Sequence, residues 1–86
     1  MILTIAEKTK IKRHLLRIFK GQKRSTITLR GHIKLSFIAK DNIINVSYKL
    51  IDIDPQEMEL YNQYIKQINN YLDTIMAKLK GLKEIL

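Results

Sequence analysis

Apolar residues recur at alternating spacings of three and four from Met58 to Leu86, and this pattern constrains the fold more than any other feature. It is typical of a helix that packs along its length against another element. Asp54 suits the N-cap of this helix, because Pro follows it at once and Glu stands three residues after it. We therefore predict a long helix over residues 55–80 or beyond, and Gly81 leaves its end open.

The length of this helix indicates a partner. At about 1.5 Å per residue, the stretch reaches roughly 50 Å, which exceeds the width expected of one small domain. The earlier part of the apolar seam is expected to cover the protein's own sheet. The later part is expected to form an interface with a second copy or with another protein, through Ile75, Leu79, Leu82 and Leu86.

A second helix is predicted over residues 5–20. Thr4 and Glu7 fit the capping box, and Gly21 is a suitable left-handed terminator. Residues 1–4 are apolar and β-prone, so they form a candidate short first strand that ends where the helix begins.

Two strands are predicted between the helices, over residues 26–39 and 43–53. Apolar residues alternate with polar ones in a single phase across Gly31. A two-residue turn at Arg30-Gly31 would move the apolar set to the wrong face, so we expect one long strand that bends there. Asp41-Asn42 is the preferred hairpin turn. Pairing Lys40 with Ile43 brings inward residues together throughout: Ala39 with Ile44, Phe37 with Val46, Leu35 with Tyr48, and Ile33 with Leu50.

These elements define a fold class. We expect a single α+β domain covering residues 1–86, in which both helices pack on one face of a small antiparallel sheet. The 86 residues suffice for one modest core.

Charge is distributed unevenly. The net charge is +8, and residues 1–40 contain eleven Lys or Arg but only one acid, Glu7. Residues 41–86 contain five Lys or Arg and seven acids. A basic half on a nearly neutral scaffold favours a polyanionic partner, nucleic acid first. The candidate phosphate-contacting residues are Lys10, Arg13, Arg17, Lys20, Lys23 and Arg24, extended by Arg30, Lys34 and Lys49.

The sequence offers little for catalysis. It contains no cysteine, the two histidines have no carboxylate close by in the sequence, and helix capping accounts for the acids around Asp54. We therefore predict no catalytic residue, metal or cofactor. No apolar run approaches the ~20 residues of a membrane span, and a cytoplasmic protein is expected.

The segment from Ile68 to Ile75, with Asn69-Asn70-Tyr71-Leu72 at its centre, resembles the last helix of a known family. That family is the small dimerising subunit, or its paralogue, of the KEOPS complex, which makes the threonylcarbamoyl modification on tRNA. The hairpin that ends in an acidic residue before this helix is also similar. The resemblance implies a non-catalytic auxiliary subunit that dimerises, docks on a catalytic partner and helps to hold tRNA.

Two functions follow as hypotheses. The first is a basic module that contacts nucleic acid, with RNA favoured over DNA, and assembles as a homodimer or within a heteromeric complex. The second is an adaptor or inhibitor whose basic face binds an acidic protein surface.

Overall fold

A computed structural model describes residues 1–41 and 43–85 of the chain, and side chains up to residue 79. The elements are α1 (Ile5–Phe19), β1 (Arg24–Leu29), β2 (Ile33–Lys40), β3 (Ile43–Leu50), a 3-10 turn (Pro55–Glu57) and α2 (Met58–Ile85). The three strands form one antiparallel sheet in the order β1-β2-β3, with a helix before it and a helix after it, so the predicted α+β class is confirmed.

Helix α1 begins and ends at the predicted signals. The Thr4 hydroxyl accepts the Glu7 N–H at 3.2 Å, and the Glu7 carboxylate accepts the Thr4 N–H at 2.9 Å, which completes the capping box. At the other end Gly21 has a φ of +113°, and its N–H donates to the Ile18 carbonyl at 3.1 Å. This is a Schellman-type ending, in which glycine avoids the steric cost of a positive φ.

The predicted strand at residues 1–4 is absent, because α2 rather than a sheet edge receives this segment. The side-chain amide of Gln67 accepts the Leu3 N–H at 2.9 Å and donates to the Met1 carbonyl at 2.7 Å. One side chain therefore bonds the segment as a neighbouring strand would. Leu3 is buried in the core as a result.

The long strand predicted over residues 26–39 is wrong, since the chain reverses at Arg30-Gly31. Both residues have positive φ, 54° and 68°, and the His32 N–H donates to the Leu29 carbonyl at 3.1 Å. The loop uses three residues, so Leu29 pairs with Ile33 rather than with His32. The extra residue restores the alternation, and the apolar set stays on the inner face of both strands.

The predicted register of the second hairpin is confirmed in full. β2 pairs with β3 from Ile33 opposite Leu50 to Lys40 opposite Ile43, and Lys34 lies opposite Lys49. β3 ends at Leu50 rather than at residue 53. In the turn, Asp41 has the expected positive φ of 54°, whereas Asn42 lies outside the described residues.

Helix α2 follows a 3-10 turn that Asp54 caps by accepting the Gln56 N–H at 3.1 Å. Its backbone remains helical beyond Gly81, to Ile85. The apolar seam follows the prediction from Tyr61 to Leu79 except at one position, where Tyr64 is fully buried and the predicted Ile65 is half-buried. Met58, the predicted first member, is 38% exposed. The helix buries Tyr61, Tyr64, Ile68, Leu72, Ile75 and Leu79.

Both helices contribute to a single core with the inner face of the sheet. α1 packs against β1 and β2, where Ile27, Leu29, Ile33, Leu35 and Phe37 are buried. The outer face of the sheet carries no helix among the described elements, and its side chains are mostly exposed.

Candidate nucleic-acid interface

One face of α1 carries four cations. Lys10, Arg13, Arg17 and Lys20 are all exposed, and they follow one another at spacings of three and four residues. The opposite face buries Ile11, Leu15 and Ile18 in the core. At 1.5 Å per residue, the four cations extend over about 15 Å of helix. We call these four residues the α1 stripe.

Helix α1 lies beside the edge strand β1, and Lys10 of the α1 stripe reaches that strand. Lys10 Nζ lies 3.5 Å from the Thr28 carbonyl oxygen, and one turn further along, His14 Nδ1 is hydrogen-bonded to Ser25 Oγ at 2.6 Å. These two contacts fix the rotation of α1 about its axis. Lys10 therefore lies at the border between helix and sheet, and Arg13, Arg17 and Lys20 continue from it along the exposed face of α1.

His14 reports the electrostatic field of this stripe. Burial lowers the pKa of its imidazole, and the positive charges of Arg17, Lys10 and Arg13 lower it further. The three cations are thus close enough to act together on a single group. An anion bound across them would relieve their mutual repulsion.

Lys23 and Arg24 continue the basic surface past the end of α1. Both are exposed, but the backbone that carries them is fixed. The Lys23 carbonyl accepts the Ala39 N–H at 2.8 Å, and the Arg24 carbonyl accepts a side-chain N–H of Gln22 at 2.6 Å. A short, anchored connector therefore brings two further cations next to the α1 stripe.

Lys34 and Lys49 lie on a different surface. They are directly opposed across β2 and β3, on the outer face of the sheet, with Thr28 as the third residue of the same row. Like charges at such positions are unfavourable by about 0.2–1 kcal/mol. The helices cover the other face of the sheet, so a flat ligand would not contact this pair and the α1 stripe together.

Arg30, also predicted to contact phosphate, is held within the fold. Its Nε and Nη2 donate to the two carboxylate oxygens of Glu7, each at 3.0 Å. Its guanidinium lies 4.7 Å from the ring centroid of Tyr64, and Nη2 also donates to the Ile2 carbonyl. We therefore leave Arg30 out of the interface.

Glu7 is the acceptor at the centre of this cluster. Burial by itself would raise its pKa, but hydrogen bonds from Arg30, Tyr64 and Thr4 outweigh that effect and lower the pKa to about 2. The Tyr64 hydroxyl donates to the same carboxylate; burial, followed by this bond, raises the pKa of Tyr64. The sequence predicted Glu7 only as a capping residue. Its contacts with Arg30 and Tyr64 join residues that are distant in the sequence, so no local pattern predicts them.

The Glu7–Arg30 contact explains why the other cations of the basic half lack an acidic partner. Among the side chains of residues 1–41 and 43–79, it is the single ion pair. The one acid in the basic half is thus occupied by an arginine that anchors the fold. The α1 stripe, Lys23 and Arg24 have no acidic partner within the described part of the chain.

The predicted partner interface on α2 needs correction. Ile75 and Leu79 are 5% and 8% exposed and belong to the protein's own core. Burial of this extent within the chain leaves these two residues almost no surface for a partner. Leu82 and Leu86 lie outside the residues whose side chains are described.

The structure was also searched for metal-binding clusters and for membrane-spanning helices. No group of three or more His, Cys, Asp or Glu within the described residues is close enough to hold a metal ion. No helix in the same residues is both long and apolar enough to cross a membrane.

No family model, curated protein or solved structure matches the chain. The resemblance of Ile68–Ile75 to the KEOPS subunit therefore stays a prediction. In this structure Asn69 of that segment accepts a hydrogen bond from the Tyr48 hydroxyl.

Proposed function

We propose that the protein is a non-enzymatic module that binds the phosphate backbone of nucleic acid through the α1 stripe, Lys23 and Arg24. The observation that supports the proposal is that these six cations are exposed and have no acidic partner among the described side chains. A surface selected for stability alone would intersperse acids among them, because like charges one turn apart cost about 0.2–0.5 kcal/mol per pair.

The mechanism is neutralisation of phosphates with release of condensed counterions. Six phosphate contacts on a duplex predict a slope of about −5 for the logarithm of the association constant against the logarithm of salt concentration. Such contacts position a nucleic acid without reading its sequence. Binding should therefore be steeply salt-dependent and nearly independent of base sequence.

The burial of the aromatic residues favours contact with the nucleic-acid backbone over stacking on bases. Phe37, Tyr61 and Tyr64 are buried. Tyr71 is half-buried, and its hydroxyl donates to the Lys8 carbonyl at 3.2 Å. The described part of the basic surface therefore lacks the exposed rings on which single-stranded bases stack. A duplex or a folded RNA fits this surface better than an unstructured single strand.

The test is charge reversal in the α1 stripe. The double variant Arg13→Glu/Arg17→Glu is compared with Lys12→Glu/Lys66→Glu, which changes net charge equally at exposed residues outside the stripe. Fluorescence anisotropy would measure binding to tRNA, duplex DNA and single-stranded DNA over a range of salt concentrations, and circular dichroism would check folding.

We expect the stripe variant to lose at least tenfold in affinity and to reduce the salt slope by about two. The control should retain most of its affinity. The relative affinities of tRNA and duplex DNA decide whether RNA is the preferred ligand. Equal losses of affinity in the two variants would show that only the net charge matters. Unchanged affinity in the stripe variant would rule out the proposed interface.

A second candidate function follows from the outer face of the sheet. Ile38 and Ile43 are 39% and 61% exposed there, on the same face as Lys34 and Lys49. Apolar residues mixed with cations suit a protein partner with an acidic, partly apolar surface. Pull-down with the Lys34→Glu/Lys49→Glu variant from nuclease-treated lysate would test this adaptor function. A partner that survives nuclease and is lost with that variant would favour it over the first.

A further inference from the structure

The inner face of the sheet is covered unequally. Inward residues of β1 and β2 are buried at nearly every position, whereas those of β3 are half-buried throughout. α1 packs on β1 and β2. α2 reaches β3, where the Tyr48 hydroxyl donates to Asn69, but the inward residues of this edge strand remain half-buried. We call the half-buried row of β3 the β3 edge row: Ile44, Val46, Tyr48 and Leu50.

The backbone groups of these same residues that do not face β2 have no hydrogen-bond partner within the described part of the chain. The Ile51 N–H donates to the His32 carbonyl at 2.8 Å, so odd-numbered residues of β3 direct their backbone groups toward β2. In an antiparallel ladder the direction alternates with each residue. The N–H and C=O groups of the β3 edge row therefore point away from the sheet.

This edge lacks the usual protection against strand pairing. Protected edges carry charges, Pro or a bulge, but β3 pairs with β2 over eight consecutive residues without a bulge. Its one charged residue, Lys49, lies on the outer face. The β1 edge differs, because Lys10 reaches the Thr28 carbonyl there.

We propose that β3 pairs antiparallel with β3 of a second copy, which joins the two sheets into one of six strands. A register centred on Ser47 sets Val46 against Tyr48 of the second copy and Ile44 against its Leu50. Lys49 then meets Asn45 rather than another lysine. The pairing is self-complementary, since the same row supplies both sides of a two-fold interface.

The charge distribution favours a second copy at this edge. The chain carries +8 overall, but residues 41–86 have two more acids than cations. Helix α1, which carries the α1 stripe, packs on β1 and β2, toward the other side of the sheet. Two strongly basic chains can therefore meet at β3 with their α1 stripes outside the interface, and both stripes stay exposed.

Two variants test this interface. Val46→Pro removes an N–H that points away from the sheet, which an edge strand tolerates, and Val46→Lys introduces an inward-pointing charge at the edge. Thr26→Lys adds the same charge on the outer face of β1 and is the matched control. Light scattering during size exclusion would give the mass over a series of concentrations, with circular dichroism as the folding check.

We expect wild type and Thr26→Lys to reach twice the chain mass of 10.1 kDa, and both Val46 variants to stay at the monomer mass. Amide hydrogen exchange should show protection at Val46 and Tyr48 that rises with protein concentration. A monomer at every concentration would overturn the proposal. A dimer that the Val46 variants retain, with exchange at these amides unprotected, would place the interface elsewhere.

Discussion

The substitution Glu7→Gln tests whether one carboxylate joins three parts of the fold: the start of α1, the β1–β2 turn and α2. A carboxyl whose pKa falls from 4.5 to about 2 on folding stabilises the native state by up to about 3 kcal/mol at neutral pH, at about 1.36 kcal/mol per pKa unit. Arg30 is 31% exposed, so solvent screening reduces this to about 1–2 kcal/mol. The melting temperature should fall by roughly 5–15 °C.

The pH dependence separates this effect from a loss of packing. Because the folded pKa lies below the unfolded one, the contribution of Glu7 is fully present above about pH 4.5 and disappears as the pH falls toward 2. The difference in unfolding free energy between wild type and Glu7→Gln should be constant near neutral pH and should close in acid.

Urea denaturation followed by circular dichroism at a series of pH values measures that difference. Glu59→Gln is the matched control, since it removes the same charge from an exposed residue in the first turn of α2. The control should change stability by less than about 0.5 kcal/mol. A variant as stable as wild type at neutral pH, or a stability gap that persists unchanged in acid, would refute the role assigned to Glu7.

Two further predictions follow from the site and the core. Because the positive charges of the α1 stripe lower the pKa of His14, bound nucleic acid should raise that pKa. NMR titration of the His14 ring protons would measure the change. A pKa that is the same with and without nucleic acid would place the ligand elsewhere. Ile75→Ala should lower the free energy of unfolding by about 2–4 kcal/mol, because Ile75 is buried in the core. Ile43→Ala, at a residue that is 61% exposed, should lower it far less. Equal losses in the two variants, measured by urea denaturation, would contradict the burial of Ile75.

The local patterns in the sequence correctly predicted both ends of α1, the cap at Asp54 before α2, and one hairpin. Thr4 and Glu7 cap α1 as expected, and the pairing of β2 with β3 follows from a simple rule. A strand has a side-chain period of two, so only one register keeps Phe37 and Val46 both on the inner face. Such features depend on neighbours within a few residues or on one strict alternation.

The errors arose where an extra residue or a distant contact decides the outcome. At Arg30-Gly31 a three-residue loop preserves the same alternation as an uninterrupted strand, so periodicity alone does not separate the two. Residues 1–4 are held by the Gln67 side chain, which no strand propensity encodes. For Ile75, the pattern identified an apolar helix face but not which surface covers it.

The candidate site shows the same division. Helical periodicity was enough to group Lys10, Arg13 and Arg17, since residues three and four apart share a face. It did not separate Arg30 from them, because charge and exposure look alike in the sequence whether or not an acid approaches from another element. The difference is set by the β1–β2 turn, which brings Arg30 to Glu7.

The placement of charge explains why a small domain would keep such a surface. The neighbouring cations of the α1 stripe and the Lys34–Lys49 pair together cost about 1–2 kcal/mol, which is similar to what the Glu7–Arg30 contact is expected to contribute. If acids had been placed to relieve that repulsion, the same acids would compete with phosphate for the cations. The sole acid of residues 1–40 instead stabilises the junction of α1, the β1–β2 turn and α2, and the α1 stripe keeps the charge that the proposed phosphate contacts require.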